Sequence, residues 1–262
     1  MQGKTVVVTG ANSGLGRATA QDLARRGARV LMTARDPEKG QEALESIRAA
    51  TGNESVELLL ADFARLSDVR SLAAAILQRC ERLDVLVNNA GLILKKRFET
   101  EDGHEQQMQV NHLAPFLLTS LLLDRLRASA PARVITLSSS AHWVGGLDPT
   151  DLSASRGYWG FRVYSQTKLA NILFTRELAR RLEGSGVTAN AVHPGVVATG
   201  FGAVEDAGRL FGFGAWLISP FVQSPAKGAR TSIHLASSPE LAETSGGYFA
   251  RCRPARTSRA AR

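Results

Sequence analysis

Very little in this sequence is arranged for a membrane or for covalent cross-linking. No apolar run reaches the roughly 18 residues that a spanning helix needs, although 44% of the 262 residues are hydrophobic. Only two cysteines occur, Cys80 and Cys252, far apart and without CxxC or metal-ligand spacing. A disulfide framework is therefore not expected, and a reducing, cytoplasmic setting is. The five histidines also lack ligand spacing, so no metal is expected. There is no internal repeat and no Pro-, Ser- or Gly-rich linker. The opening "MQGKTVVVTG" passes straight into a strand-like run, so no leader is expected. These absences point to one domain over residues 1–250, a length that α/β folds fill as a single unit.

Acids are outnumbered, 24 against 32 lysines and arginines, for a net charge of +8. Five arginines crowd residues 251–262 (Arg251, Arg253, Arg256, Arg259 and Arg262) with no acid among them. A solvated, frayed basic tail after the last strand is expected there. Elsewhere bases alternate with acids, as in "RDPEKGQEALESIR", and no helix-turn-helix, zinc or RNA-binding signature is found. Nucleic acid is not expected as a partner.

What is present is a repeated alternation of strand and helix. Short apolar runs, "KTVVVT" (4–9), "ARVLMTA" (28–34), "SVELLLA" (55–61), "LDVLVNNAG" (83–91), "ARVITLSSS" (132–140) and "GVTANAVHPG" (186–195), are separated by helical patterns. Helices are expected at Gly14–Arg26, at 37–50, and at 66–80 with Ser67 as N-cap. Others are expected from about Asp102 to Arg127, divided near Pro115, and at 159–183 and 225–237. "GGYFA" (246–250) closes as a short strand. Continuous rather than alternating apolar strands fit a sheet covered on both faces. The expectation is an α/β fold: a Rossmann-like, doubly wound parallel sheet of about seven strands, with ligands beyond the strand C-termini.

The motifs fall on those C-termini. After the first strand comes "TGANSGLG", which supplies Gly10, Asn12, Ser13, Gly14, Leu15 and Gly16. Glycines there let backbone approach a pyrophosphate, and the following helix presents free N–H groups. At the end of the second strand, an NAD site would usually place an acid against the ribose. Here the stretch is "TARD", and Arg35 can take a 2′-phosphate through its guanidinium, with Arg17 joining it. NADP(H) is therefore the expected cofactor, and NAD(H) the alternative if Asp36 serves the ribose. Asp62 and Phe63 end the third strand at the expected adenine edge. Asn89, Ala90 and Gly91 end the fourth in small and amide residues that suit a nucleotide ribose. Beyond the fifth strand lie Ser138–Ser140, and further on Tyr164 and Lys168 stand one helical turn apart. A phenol with a pKa near 10 is a poor acid–base catalyst at neutral pH, and an adjacent ammonium favours its ionised form.

Together "TGANSGLG", "NNAG", "NHLAPFLLT", "VITLSSSAH", "YSQTK" and "HPGVVAT" resemble the short-chain dehydrogenases/reductases, in that family's order and over residues 3–250. The resemblance implies a catalytic set of Asn111, Ser139, Tyr164 and Lys168. Tyr164 would be the acid/base, Lys168 its partner and a holder of the nicotinamide ribose, and Ser139 the orienter of the substrate oxygen, with Ser138 the alternative. Asn111 would support a proton relay to Lys168. Pro194, Gly195, Val197 and Thr199 would lie against the nicotinamide. The finer likeness is to the branch of retinol dehydrogenases and WW-domain oxidoreductases. No membrane anchor or WW module is read here, so the resemblance implies the redox chemistry rather than a retinoid. It also suggests a homodimer or homotetramer built partly through helix 159–183.

Residues 200–224 mix glycines with Phe201, Phe211, Phe213, Trp216 and Phe221, and read as a lid over a lipophilic aldehyde, ketone or alcohol. Trp143, Tyr158 and Trp159 would form the opposite rim. The expected activity is NADP(H)-dependent interconversion of carbonyl and alcohol. The alternatives are a light-dependent protochlorophyllide reductase-like enzyme and a non-catalytic NADP(H)-sensing module.

Overall fold

The structure, a computed structural model, describes residues 1–195 and 223–262. Strands β1 (Thr5–Val8), β2 (Arg29–Ala34), β3 (Val56–Leu60), β4 (Val85–Asn88), β5 (Ala132–Leu137), β6 (Val187–His193) and β7 (Tyr248–Ala250) pair in parallel. An eighth, β8 (Arg253–Pro254), turns back antiparallel to β7, and the sheet order is β3-β2-β1-β4-β5-β6-β7-β8.

Why these strands are apolar throughout is visible in the two cores. One face sends Val7, Leu31, Leu86 and Val134 against α3 (Leu66–Arg79), α5 (Ala114–Ala128) and α6 (Gly160–Arg181). Alternate residues Val6, Val8, Val30, Met32, Val87 and Ile135 meet α1 (Gly14–Arg25), α2 (Pro37–Thr51) and α7 (Pro225–Ser237) on the other. With helices on both faces, neither side of a strand can be polar.

Two expectations about the helices change. The long helix begins at Gln106, not Asp102: a single turn α4 (Gln106–Met108) runs into a π turn (Gln109–Leu113) and then α5. Pro115 has no N–H to give the carbonyl four residues back, that of Asn111, and Asn171 Nδ2 donates to that oxygen instead at 3.0 Å. Ser67 does not cap α3, which starts one residue earlier behind Arg65. The expected doubly wound sheet of about seven parallel strands is present, and residues after Ala250 add the short antiparallel β8 at its edge.

The basic tail is not frayed. Thr257, Ser258 and Ala261 are buried, and Ala261 packs with Leu169, Ile172, Ala191 and Tyr248. The Arg176 side chain donates to the Ala261 carbonyl and to Thr257 Oγ1. The five tail arginines, other than in β8, simply point outward from a segment held by its small residues; all five are exposed.

Candidate active site

A cleft of about 740 Å³ among the described residues runs along the C-terminal edge of β1 to β6. At its centre, where β1 meets β4 and the strand order reverses, the first turn is tied down before any ligand is considered. Thr9 Oγ1 accepts the N–H groups of Asn89 (2.9 Å) and Ala90 (3.0 Å), and Asn89 Nδ2 donates to the carbonyls of Thr9 and Gly10. Gly10 has φ +63°, and a Cβ on Gly16 would stand 2.3 Å from the Gly10 oxygen and 2.4 Å from Asn89 Nδ2. Both glycines are thus demanded by protein packing. Ser13 precedes α1 without a side-chain capping bond, so the first-turn N–H groups are not spent on it and suit an anion. Gly10, Asn12, Ser13, Gly14, Leu15 and Gly16 all line the cleft, as do Asp62, Phe63, Asn89, Ala90, Gly91, Pro194 and Gly195. Val197, Thr199 and almost all of the expected lid 200–224 lie outside the described residues.

At the end of β2, Arg35 is exposed on the rim. Arg17 does not join it: its guanidinium donates to Ser46 Oγ on α2 at 2.5 Å. The second rim cation is Lys39, one turn into α2, which sequence reasoning missed. Asp36 is the α2 N-cap; its carboxylate accepts the Lys39 N–H at 3.1 Å and lies 3.8 Å from the Lys39 ammonium. Asp62 is similarly engaged, accepting the Ala64 N–H at 2.9 Å.

The chemical end is built from β5 and α6. Ser139 follows β5 and lines the cleft with Tyr164, its hydroxyl close enough to lower the pKa of the phenol. Ser138 is buried and donates to the Lys168 carbonyl at 2.7 Å, so its hydroxyl is committed to holding α6. Lys168 Nζ lies 5.4 Å from the Tyr164 ring centroid and donates to the Leu137 carbonyl at 3.3 Å. The expectation that the ammonium acidifies the phenol is not what dominates: burial pushes Tyr164 up to about 12, with the Ser139 hydroxyl pulling the other way. The same burial brings Lys168 down to about 8. Asn111, fully buried in the π turn, accepts the Leu92 N–H at 2.7 Å and donates to the Leu92 carbonyl at 2.8 Å and Thr167 Oγ1 at 3.2 Å. Its side chain therefore fastens the loop after β4 to α6.

Of the expected aromatic rim, Trp143 and Trp159 are exposed. Tyr158 instead turns inward, where its hydroxyl meets Gln107 Nε2 (2.6 Å) and the buried Glu105 carboxylate (3.2 Å). Ile93 and Leu94, unmarked in the sequence, also line the cleft. No helix among the described residues is long and apolar enough to cross a membrane.

A parallel sheet with a glycine turn at its switch point and a Ser–Tyr–Lys cluster across the cleft defines a nicotinamide-dependent oxidoreductase. The comparisons agree: a model described as short chain dehydrogenase matches residues 4–209, and the chain belongs to that family, NAD(P)-dependent oxidoreductases that interconvert carbonyl and alcohol groups. It is similar to Retinol dehydrogenase 13 of Homo sapiens, 48% identical over 94% of this chain and 76% of that protein. It is also similar to Retinol dehydrogenase 12 of Mus musculus, 47% identical over 96% and 78%. Among solved structures, an uncharacterized protein from Mycobacterium Paratuberculosis matches with a TM-score of 0.79 at 38% identity, covering 99% of this chain and 87% of that one. The Pseudomonas aeruginosa RhlG/NADP active-site complex matches at 0.76 and 29%, covering 95% and 94%.

Proposed function

We propose that the chain is an NADP(H)-dependent reductase or dehydrogenase of apolar aldehydes, ketones and their alcohols, with Tyr164 as acid/base. One observation carries the reading: Ser139, Tyr164 and Lys168 line one end of a cleft whose other end bears Arg35 and Lys39, with the Lys168 ammonium 5.4 Å from the Tyr164 ring centre.

The cleft's free α1 N–H groups suit the cofactor's pyrophosphate, and the rim cations suit a 2′-phosphate. Asp36, occupied by the α2 cap and by Lys39, is a poor partner for an NAD ribose. When bound, the nicotinamide supplies or accepts the hydride. Tyr164 then gives a proton to the carbonyl oxygen, or takes one from the alcohol, while Ser139 holds that oxygen. At neutral pH a phenol pushed up to about 12 is fully protonated, the state that reduction needs. Lys168 holds its positive charge next to the phenol as negative charge develops on it. Asn111 serves by fixing the Leu92 loop and Thr167 around this pair. Ile93 and Leu94 give an apolar wall, and the names of the similar dehydrogenases put retinal among the aldehydes to test.

The test is NADPH oxidation with medium-chain and aromatic aldehydes, ketones and retinal, run beside Tyr164→Phe. Turnover by the wild type and a loss of about 10²–10⁴-fold in the variant is expected for a lost general acid. Full activity in Tyr164→Phe would remove the role assigned to the phenol.

A further inference from the structure

Behind the cleft, the arginine-bearing C-terminus folds back onto the residues that hold Ser139. His142 sits between them, fully buried, with its ring against Tyr248 at 5.0 Å and Trp143 at 5.4 Å between centroids. Its Nδ1 lies 2.7 Å from the Ser139 carbonyl, and its Nε2 lies 3.2 Å from the Ser258 main-chain nitrogen. The carbonyl can only accept and the main-chain N–H can only donate, so both partners demand the same tautomer: proton on Nδ1, lone pair on Nε2. The His142 backbone N–H also reaches the Ser139 carbonyl at 3.2 Å. Ser139 itself opens a short 3₁₀ turn (Ser140–Trp143), its Oγ accepting the Ala141 N–H at 3.2 Å.

The far end of the link is equally well anchored. Ser258 is buried beside Thr257, and the segment is clamped by Arg176 on α6, by Ala261 packing on Leu169 and Ile172, and by β8 pairing with β7. These anchors sit on the helix that carries Tyr164 and on the strand next to β6.

We propose that residues 253–262 form a positioning strap for the active site, with His142 carrying the contact from the Ser258 N–H to Ser139. It rests on the reading that Ser139 orients the substrate oxygen. The strap fixes the 3₁₀ turn against α6, so that the Ser139 hydroxyl keeps its register to the Tyr164 phenol. Ser139 and Tyr164 are the catalytic residues, and His142 and Ser258 are positioning residues.

The backbone offers a clean probe. Ser258 has φ −59°, an angle proline holds without strain, so Ser258→Pro deletes the donated N–H and sets a ring methylene against His142 Nε2 in its place. Ser258→Ala keeps that N–H and removes only a hydroxyl that is buried without a hydrogen-bond partner. Both are made in full-length protein, with Ser139 intact and with Ser139→Ala. NADPH affinity by fluorescence, kcat and KM are measured, together with the ¹⁵N ring shifts of His142 in the wild type. Ser258→Pro should lower kcat about fivefold or more with NADPH affinity within about twofold, and Ser258→Ala should retain kcat. The Ser258→Pro loss should vanish in the Ser139→Ala background, since residues acting through one group are not additive. The ring shifts should report the Nδ1–H tautomer. An unchanged kcat in Ser258→Pro, an equal loss in the Ser139→Ala background, or an Nε2–H tautomer would each overturn the strap. Absence of carbonyl turnover in the wild type would instead remove the reading beneath it.

Discussion

Asp36 and Lys39 are partners twice over: the carboxylate of Asp36 accepts the Lys39 main-chain N–H, and the Lys39 ammonium returns to within 3.8 Å of that carboxylate. The pair makes the α2 N-terminus a rim where the acid is already engaged and Arg35 is left exposed beside it.

Cofactor choice follows from that rim. Arg35→Ala is expected to weaken NADPH about 10- to 100-fold, from a charged hydrogen bond of about 1.5–3 kcal/mol, and to leave NADH nearly unchanged. Lys39→Ala, at an exposed position, should cost up to about fivefold. Arg17→Ala should leave the NADPH/NADH ratio alone, because that guanidinium is on Ser46. Dissociation constants for both nucleotides check all three, and an unchanged ratio in Arg35→Ala would reject the phosphate assignment.

The pH profile of carbonyl reduction should follow Lys168 rather than Tyr164. With the phenol at about 12, its proton is in place throughout the neutral range. Lys168, brought down to about 8, is an ammonium below that value and a neutral amine above it. The positive charge that supports proton transfer is thus present below pH 8, and kcat/KM should be level there and fall as pH rises through 8. Lys168→Arg, charged at every accessible pH, should lower the rate but abolish the alkaline fall. A profile level to pH 10 in the wild type would count against the charge being used.

Gly16→Ala tests how far the turn is packing rather than ligand chemistry. A Cβ 2.3 Å from the Gly10 oxygen and 2.4 Å from Asn89 Nδ2 must push the turn away from β4. A destabilisation of about 1–3 kcal/mol is expected from overpacking even without nucleotide. Thermal unfolding of the ligand-free variant measures it, and a wild-type midpoint would show that the turn yields freely.

Asn111→Ala should strand the Leu92 N–H, whose hydrogen bond at 2.7 Å goes to Asn111 Oδ1. A fully buried orphaned donor costs about 1–3 kcal/mol, and the part-buried Leu92 N–H should cost toward the lower end. Asn111→Asp keeps that acceptor while losing the donors to Leu92 and Thr167, so it should be milder in urea unfolding if the N–H bond dominates. An Asp variant as unstable as the Ala variant would place the weight on the donated bonds instead.

Most of the sheet was legible because strands buried on both faces have no freedom to be polar: "TVVV" and "RVLMTA" are buried at nearly every position. The proposed catalytic cluster was legible because its chemistry requires a rare pairing, Tyr164 and Lys168, at a helical spacing. The strap was not. Its composition is dominated by exposed arginines, while its attachment rests on Thr257, Ser258 and Ala261, small residues whose partners lie 80 or more positions away, as Arg176 and His142 do. Arg17 failed for a related reason: its spacing from Gly16 was readable, but the Ser46 hydroxyl that captures it comes from another helix. Asp36, a ribose ligand only in the NAD(H) alternative, also caps α2, a bond that sequence spacing alone does not show.

The π turn at Gln109–Leu113 also makes this helix tolerant of a change in length. A π turn holds about one residue more than an α turn, so a one-residue deletion there would leave an uninterrupted α-helix with both flanks facing much as before. The same deletion in a plain α-helix would rotate everything on one side by about 100° around the axis. Gln107, whose amide grips the Leu94 N–H, the Tyr158 hydroxyl and the Gly160 carbonyl, would therefore stay close to all three. The wide turn works as an expansion joint: it takes up one residue of slack between the segment that holds Tyr158 and the segment that carries α5.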